Sequence, residues 1–250
     1  MKNLLQGRNL LLVVGAAAIV VAVPLILISV LGGGSGSAEP APTTTADTGS
    51  APGAPARAPG AAEAAKLFAG IPQQLNQLGN PNAKVTLIEF ADPQCPFCRE
   101  FELDVLPTVL ADYVRTGKVK MVVFGIQVIG PNSETGLRAM YAAGLQGKLW
   151  NVLELLYKSQ GAENSGWISD ELLRRIGASI PRFDTAKMIA DLHSAEVDAA
   201  LAASEQQATN AQVRATPTFF AGTTGGTLQQ LPITALTPDE FRSKLDPLVR

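Results

Sequence analysis

Two cysteines, Cys95 and Cys98, are the only cysteines in the 250-residue chain, and two residues separate them. Thiols at this spacing can close a disulfide across one turn of chain, so any sulfur chemistry of this sequence is intramolecular. The pair follows an apolar run from Val85 to Ala91 and precedes a helix-like segment from Arg99 onward. The pattern predicts a strand, a redox-active turn and a helix.

Cys95 is the expected nucleophile of the pair. If a helix begins at this residue, its sulfur faces backbone N–H groups without partners and the positive end of the helix dipole, and both favour thiolate over thiol. Cys98 lies one turn further in, where it is more shielded and can attack a mixed disulfide formed at Cys95. Pro96 suits the first turn because its φ is already fixed and it has no N–H to lose. We therefore expect a lower pKa for Cys95 than for Cys98.

A metal site and a purely structural disulfide are the other uses of such a pair. A closed zinc site needs about four ligands, whereas the sequence offers no further cysteine and a single histidine, His193. A disulfide across so short a loop constrains the unfolded chain little, which makes a purely stabilising role a poor explanation. We interpret the pair as redox-active and expect neither a metal nor a cofactor.

Two separate segments carry a family resemblance. Residues 85–101, with Cys95-Pro96-Phe97-Cys98 near their end, resemble the active-site region of DsbA-type, thioredoxin-fold thiol:disulfide oxidoreductases of bacterial cell envelopes. Residues 213–220 resemble the cis-proline loop of that family and the strand after it. The resemblance covers roughly residues 71–250. It implies an α/β, thioredoxin-like fold with an inserted helical subdomain.

Thr216-Pro217 stands at the entrance of a predicted strand, where a proline cannot donate to a sheet ladder. The resemblance implies a cis bond here, which would bring the backbone of Thr216 beside Cys95 to pair with an extended substrate peptide. Pro96 and Phe97 are the other expected substrate-binding residues. An ordinary trans proline at the start of a strand is the alternative.

Glu89 breaks the apolar pattern of the strand before the cysteines. Apolar residues occupy both faces of that strand, which predicts a central position in the sheet, and a carboxylate there is costly unless it is protonated or has a partner. Glu89 stands six residues before Cys95, and it matches the buried acid that the family carries beneath its redox pair. We interpret it as a proton acceptor for Cys98. The alternative is an acid that reaches the edge of the sheet.

The N-terminal region has the composition of a membrane anchor. Leu10 to Leu31 form an uncharged apolar run, long enough at about 1.5 Å per residue to cross a hydrocarbon core of about 30 Å. Lys2 and Arg8 precede this run and acidic residues follow it, so the positive-inside rule places residues 1–9 in the cytoplasm and the remainder outside. A signal peptide cleaved among the small residues from Ser35 to Ala38 is the alternative.

A linker and one folded domain are predicted after the transmembrane helix of residues 10–31. Residues 32–66 are rich in Pro, Ala, Gly and Thr, and such a composition buries too little apolar surface to offset the entropy of ordering. We expect a disordered, semi-rigid spacer. The folded domain is expected at residues 67–250, with a helical insertion at about residues 133–212.

The remaining elements follow from periodicity and from turn residues. An amphipathic helix is expected from Cys98 toward Thr116, bent or restarted at Pro107, and a strand from Lys118 to Ile126. Asp184 to Gln207 is predicted as one helix with His193 on its surface. Further predicted elements are a hairpin from Thr218 to Leu231 and a last helix opened by Thr237 and Glu240 as a capping box.

The predicted function is that of a membrane-anchored, extracytoplasmic thiol:disulfide oxidoreductase that introduces disulfides into reduced secreted or envelope proteins. The resemblance implies that a quinone-linked membrane partner reoxidises the dithiol, and that the bacterial cell membrane is its location. The net charge of −2, without a run of Lys or Arg, gives no reason to expect nucleic acid as a partner.

Two other functions stay open. DsbA carries a histidine where this chain has Phe97, and a phenyl ring offers the Cys95 thiolate neither a positive charge nor an N–H. The pair is then less oxidising, so a thiol reductase or a disulfide isomerase is one alternative. The other is a non-catalytic, tethered peptide-binding or chaperone domain with a static disulfide.

Overall fold

The computed structural model describes residues 56–250 and centres on a mixed six-stranded sheet with the order β1-β2-β4-β3-β5-β6. The strands are β1 Gln73–Gln74, β2 Gln77–Leu78, β3 Val85–Ala91, β4 Val119–Gly125, β5 Thr218–Thr223 and β6 Gln229–Gln230. Strands β3 and β4 run parallel, and the other neighbouring pairs are antiparallel. The two strands predicted on either side of the redox helix and the predicted hairpin are thereby confirmed.

Strand β3 holds the centre of the sheet and ends at the redox turn. All seven of its residues are buried, as its apolar side chains on both faces predicted. In the register of the sheet, Glu89 lies opposite Val123 on β4 and Phe219 on β5. The interpretation of Glu89 as an acid at the sheet edge is therefore wrong, because strands flank it on both sides.

The redox helix, which we define as residues 96–114, follows this strand. It consists of the α-helical segments Pro96–Glu100 and Leu106–Val109, which alternate with the π-helical segments Phe101–Val105 and Leu110–Val114. Wider π-helical turns absorb irregularities in a helix and are frequent near functional sites. Pro107 lies within the second α-helical segment, close to where the sequence predicted a bend.

The insertion between β4 and β5 is helical, as predicted for about residues 133–212. Its helices are Ser133–Gly144, Leu149–Lys158, Asp170–Ser179, Thr185–Asp191 and Ala195–Ala211. The prediction of a single helix from Asp184 to Gln207 is wrong. The Oγ of Ser194 accepts a hydrogen bond from the Val197 N–H, and this N-cap starts a separate helix directly after His193, which is exposed.

The folded domain begins earlier than the predicted boundary at residues 66 and 67. Ala61–Leu67 form a helix, and the backbone N–H of Ala58 donates to Ser179 Oγ at 2.8 Å across a buried contact. The alanines of this segment look like linker residues by composition. Ala58, Ala61 and Ala64 are nevertheless buried, because their small side chains allow close packing against the insertion.

The predicted cytoplasmic N-terminus, transmembrane helix and most of the predicted linker lie outside the described residues. Among residues 56–250, no helix combines the length and the apolar character needed to cross a membrane. The anchor at residues 10–31 therefore stays a prediction.

Aromatic side chains fix the redox helix to the sheet and to the last helix, Pro238–Leu245. The rings of Phe101, Phe219 and Phe241 pack with centroids 4.6 to 5.0 Å apart, distances at which aromatic pairs attract each other beyond simple burial. Trp150 and Tyr157 are fully buried, as expected of core residues. This packing holds the N-terminal end of the redox helix at the end of β3.

Candidate active site

Cys95 occupies the N-cap position of the redox helix. Its backbone is extended, with φ −71° and ψ 122°, and its Sγ accepts a hydrogen bond from the Cys98 N–H at 3.4 Å. Both cysteines are free thiols, so the structure shows the reduced form. The predicted order of strand, turn and helix places the Cys95 sulfur at the positive end of the helix dipole.

The loop before β5 lies directly against this sulfur. The Sγ of Cys95 donates to the backbone oxygen of Thr216 at 3.2 Å, although 121 residues separate the two positions. The peptide bond between Thr216 and Pro217 is cis, and the alternative of a trans bond is wrong. The structure thus brings together the two segments that carried the resemblance.

The Cys95 thiol has a lowered pKa of about 6. The hydrogen bond with the Cys98 thiol is the largest cause, and the Thr216 side chain and the backbone N–H groups of Cys98 and Phe97 add smaller contributions. Burial opposes them, because removal from water disfavours a thiolate. Cys95 is therefore mostly thiolate at neutral pH, as its position in the helix predicted.

Cys98 has the opposite character. It has no exposed surface, and this burial is the main reason why its pKa is raised well above the ordinary value for a thiol. The neighbouring charges of Cys95 and Glu89 raise it further. At neutral pH the reduced pair therefore consists of one thiolate, Cys95, and one thiol, Cys98, which suits attack at the first sulfur and proton exchange at the second.

Glu89 lies beneath the pair with no exposed surface, and neither of its carboxyl oxygens has a hydrogen-bond partner. Burial, followed by the charge of Cys95, raises its pKa well above the ordinary value. Glu102 faces it from the redox helix and is equally buried. The two carboxyls influence each other's pKa, although their oxygens make no hydrogen bond of standard geometry. In both groups burial therefore favours the protonated carboxyl over the carboxylate.

The sequence reasoning missed Glu102, although a signal was present. It follows Cys98 by four residues, and residues with this spacing share one face of a helix. Because Cys98 is predicted to be buried, an acid on the same face had to be buried as well. A second buried carboxyl, that of Glu102, therefore neighbours Glu89, which we interpret as the proton acceptor for Cys98.

Polar contacts within the turn, from the loop after β4 and from the insertion hold the turn in place, and these were also missed. The Asp92 carboxylate accepts from the backbone N–H groups of Gln94, Val128 and Ile129, each at 2.8 Å. The Gln160 side chain donates to the backbone oxygens of Pro93 and Cys95, both at 3.2 Å. The carbonyl and carboxylate groups around the turn are thus satisfied by neighbouring loops, and the turn is fixed before any substrate arrives.

An open groove of about 330 Å³ is lined by Thr216, whose backbone oxygen contacts Cys95 Sγ. Three of the four predicted substrate-binding residues line it, namely Phe97, Thr216 and Pro217, and the fourth, Pro96, is exposed at the start of the helix. The ring of Phe97 is 61% exposed, which is unusual for a large apolar side chain. The groove offers apolar contacts to an extended peptide.

Comparisons with known proteins agree with this geometry. A family model described as Thioredoxin matches residues 73–246. A relative in Bacillus anthracis, named probable disulfide bond formation protein D, is 31% identical over 158 residues, which are 62% of this chain and 72% of the relative. The chain belongs to the DsbA-type thioredoxin family. It is accordingly a thiol:disulfide oxidoreductase, and Cys95 and Cys98 form the pair that can carry this activity.

Solved structures of DsbA-type proteins show the same fold. Oxidised BdbD from Bacillus subtilis superposes with a TM-score of 0.61 at 20% identity, over 72% of this chain and 97% of that chain. The α-DsbA1 protein of Wolbachia pipientis gives a TM-score of 0.56 at 18% identity, over 70% of this chain and 90% of that chain. At these identities the likeness supports the fold alone.

Proposed function

We propose that this DsbA-type protein works as a dithiol oxidase, which uses its oxidised Cys95–Cys98 pair to introduce disulfides into reduced secreted or envelope proteins. A substrate thiolate attacks Cys95 Sγ, the intramolecular disulfide breaks, and Cys98 leaves with the electron pair and takes up a proton. A second substrate thiolate then attacks the mixed disulfide, and Cys95 leaves as a thiolate. The substrate loses two electrons and the protein gains them.

The observation that carries this direction is the lowered pKa of Cys95. A thiolate stabilised by hydrogen bonds at a helix start stabilises the reduced form of the pair and makes the disulfide a better oxidant. The same stabilisation makes Cys95 a good leaving group in the second step, because thiols of lower pKa leave faster.

The proposal includes location and reoxidation. Residues 10–31 would anchor the protein in the bacterial cell membrane, with the redox domain on the outer side, where disulfides persist. A quinone-linked membrane partner would take the electrons from the reduced pair. The open groove beside Cys95 would receive an extended segment of the substrate or of this partner.

A thiol reductase or isomerase is the second candidate, and Phe97 favours it. Phe97 cannot donate a hydrogen bond to the Cys95 thiolate, so the disulfide is less oxidising than one flanked by a histidine at this position.

The equilibrium reduction potential of the pair against glutathione, measured together with oxidation of a reduced, unfolded model protein, separates these functions. We expect a potential between about −120 and −230 mV and stoichiometric disulfide transfer to the model protein. A potential near the −270 mV of thioredoxin, with net reduction of the model protein, would establish the reductase. The control variant Cys95→Ser should lose disulfide transfer. If this variant kept the effect of the wild-type protein on the model protein, the function of a non-catalytic domain with a static disulfide would be correct.

A further inference from the structure

Among the described residues that line the groove at Thr216, Glu100 alone carries a charge. The other lining residues are apolar or uncharged, and they include Phe219 of β5 and residues 233–236, which follow β6. Glu100 follows Phe97 by three residues, a spacing that places both side chains on one face of the redox helix. This face therefore presents an exposed ring and a carboxylate side by side to the groove.

No lysine or arginine within residues 56–250 forms an ion pair with Glu100. Glu100 is exposed, and exposed glutamates are ionised at neutral pH. The next residue along the chain toward Cys98 is a cation, Arg99, but its Nε donates to the backbone oxygen of Tyr157 in the insertion at 3.1 Å. The groove thus carries a negative charge that this part of the chain does not balance.

A second acid near the groove, Glu240, shows what a structural role would look like. Its Oε1 accepts from the N–H and the hydroxyl of Thr234 at 3.3 and 3.2 Å, and it lies 3.5 Å from Lys244 Nζ. Glu240 therefore fixes the segment 233–236 and is balanced by a lysine. Glu100 makes no such ion pair, and it lies beyond the first helical turn, where the helix dipole would favour a negative charge. Stability does not account for its place in the groove.

The distance from Glu100 to the reactive sulfur suits an extended peptide. Glu100 follows Cys95 by five residues, which is about 7.5 Å along a helix axis. An extended chain covers this length in about two residues. A peptide whose cysteine attacks Cys95 and which follows this face of the helix therefore brings a side chain about two positions from its cysteine to Glu100. The long stem of a lysine or arginine can lie along the Phe97 ring and place its cation at the carboxylate.

We propose that Glu100 selects reduced substrate proteins that carry lysine or arginine about two residues from the cysteine that attacks Cys95. The Phe97 ring contacts the apolar stem of that side chain, and the Glu100 carboxylate pairs with its charge. This specificity rests on the proposed dithiol oxidase function and names the class of substrate segment that the groove prefers. Glu100 contacts the substrate but takes no part in the exchange of electrons.

The test compares dithiol peptides that differ in one kind of residue. Each peptide has two cysteines joined by a short Gly-Ser segment, with the test residue two positions before the first cysteine and two positions after the second. Either cysteine then presents the test residue, whichever way the peptide runs. Lysine, glutamine and glutamate are the three test residues. Full-length oxidised protein in non-ionic detergent is mixed with each peptide, and acid quenching with chromatography gives the second-order rate of peptide oxidation.

The quantity to compare is the rate for the lysine peptide divided by the rate for the glutamine peptide. Lysine also makes a nearby thiol more acidic, so the ratio in Glu100→Gln is the reference. We expect the wild-type ratio to be about threefold higher than this reference, as for an exposed ion pair. In Glu100→Lys the preference should reverse, with the glutamate peptide favoured relative to the reference. At about 1 M salt, where the screening length is about 3 Å, the ratios should converge.

Glu171→Gln is the matched control, because it removes one negative charge at an exposed glutamate of the insertion that does not line the groove. It should keep the wild-type ratio. Equal ratios in wild type and Glu100→Gln would overturn the specificity while leaving the oxidase function intact. An equal fall in Glu171→Gln would also overturn it, since net charge would then explain the preference. If wild-type protein oxidised none of the peptides, the proposed dithiol oxidase itself would be refuted, and the specificity with it.

Discussion

On the two sides of the redox helix, the pKa of a cysteine thiol is shifted in opposite directions. At its N-terminal end, Cys95 receives the N–H of Cys98 and has its pKa lowered to about 6. On its buried underside, Cys98 lies near the carboxyl group of Glu89, and burial raises its pKa well above the ordinary value. Two side chains of the same chemistry, three residues apart, thus acquire different protonation states.

This difference in pKa follows from the polar groups that each side of the helix presents to the sulfur. The end of the helix offers donors that are already oriented, so a charge forms there at little cost of reorganisation. The underside offers carboxyls without partners, so charge is disfavoured there and protons are retained. We infer that one side stabilises the nucleophilic thiolate of Cys95 and that the other side keeps the resolving thiol of Cys98 protonated.

Removal of the Cys98 sulfur tests the N-terminal end of the redox helix and should have the largest effect of the changes predicted below. In Cys98→Ala the Cys95 thiolate loses the hydrogen bond that contributes most to its low pKa, while the helix N-terminus remains. We expect the pKa to rise from about 6 by roughly two units, yet to stay below the free value of about 8.5. Thiolate ultraviolet absorbance and the pH dependence of iodoacetamide alkylation both measure it.

Cys98→Ser is the control for this measurement, because a hydroxyl at the same position can still donate to the Cys95 thiolate. Its Cys95 pKa should lie well below that of Cys98→Ala. Equal values in the two variants would show that the neighbouring donor is unimportant and that the helix start alone activates Cys95.

Glu102→Gln tests the underside. A carboxyl whose pKa is raised on folding stabilises the protein fully below its unfolded pKa of about 4.3, and this contribution is lost as the pH rises through the folded value. A glutamine does not titrate. The free energy of unfolding of the variant, relative to wild type, should therefore rise by at least about 1.4 kcal/mol between about pH 4 and pH 8, because each unit by which the folded pKa exceeds the unfolded pKa corresponds to about 1.4 kcal/mol.

Urea unfolding at several pH values measures this difference. Glu163→Gln, a change at an exposed glutamate of the insertion, is the control and should show no such trend. A Glu102→Gln difference that stays flat with pH would mean that Glu102 is ionised inside the domain, contrary to its burial without a partner.

The sequence predicted the parts of the site that depend on local patterns. Cys95 as N-cap follows from the turn before a helix, and burial of Glu89 follows from a strand that is apolar on both faces. Contacts between distant segments were less accessible. The hydrogen bonds from Gln160 to the turn could be recognised only once the packing of the insertion against the turn was known.

The predicted boundary between the linker and the folded domain differs from the structure for a related reason. Composition suggested a linker up to residue 66, because alanine contributes little to hydrophobic patterns. In the structure, Ala58, Ala61 and Ala64 are buried since close packing favours small side chains. Composition alone does not distinguish alanine that is solvated in a linker from alanine that packs against a neighbouring helix.

The smallest expected effect comes from a cation added at the exposed end of the pair, in Phe97→His. The side chain at this position is 61% exposed, so water and salt screen a histidine charge there, and interactions of exposed charges contribute well under about 1 kcal/mol. We expect the Cys95 pKa to fall by about half a unit, which corresponds to about 0.7 kcal/mol and makes the disulfide more oxidising by about 15 mV. Because a histidine is charged only below a pKa of about 6.5 and the Cys95 thiolate predominates only above about pH 6, the gain should be largest near about pH 6 and lost by about pH 8. The measurement is the potential of Phe97→His minus that of Phe97→Leu at both pH values, since leucine removes the ring without adding a charge. A difference that is equal at the two pH values would assign the change to the loss of the phenyl ring from the groove, and the charge argument at this end of the helix would be wrong.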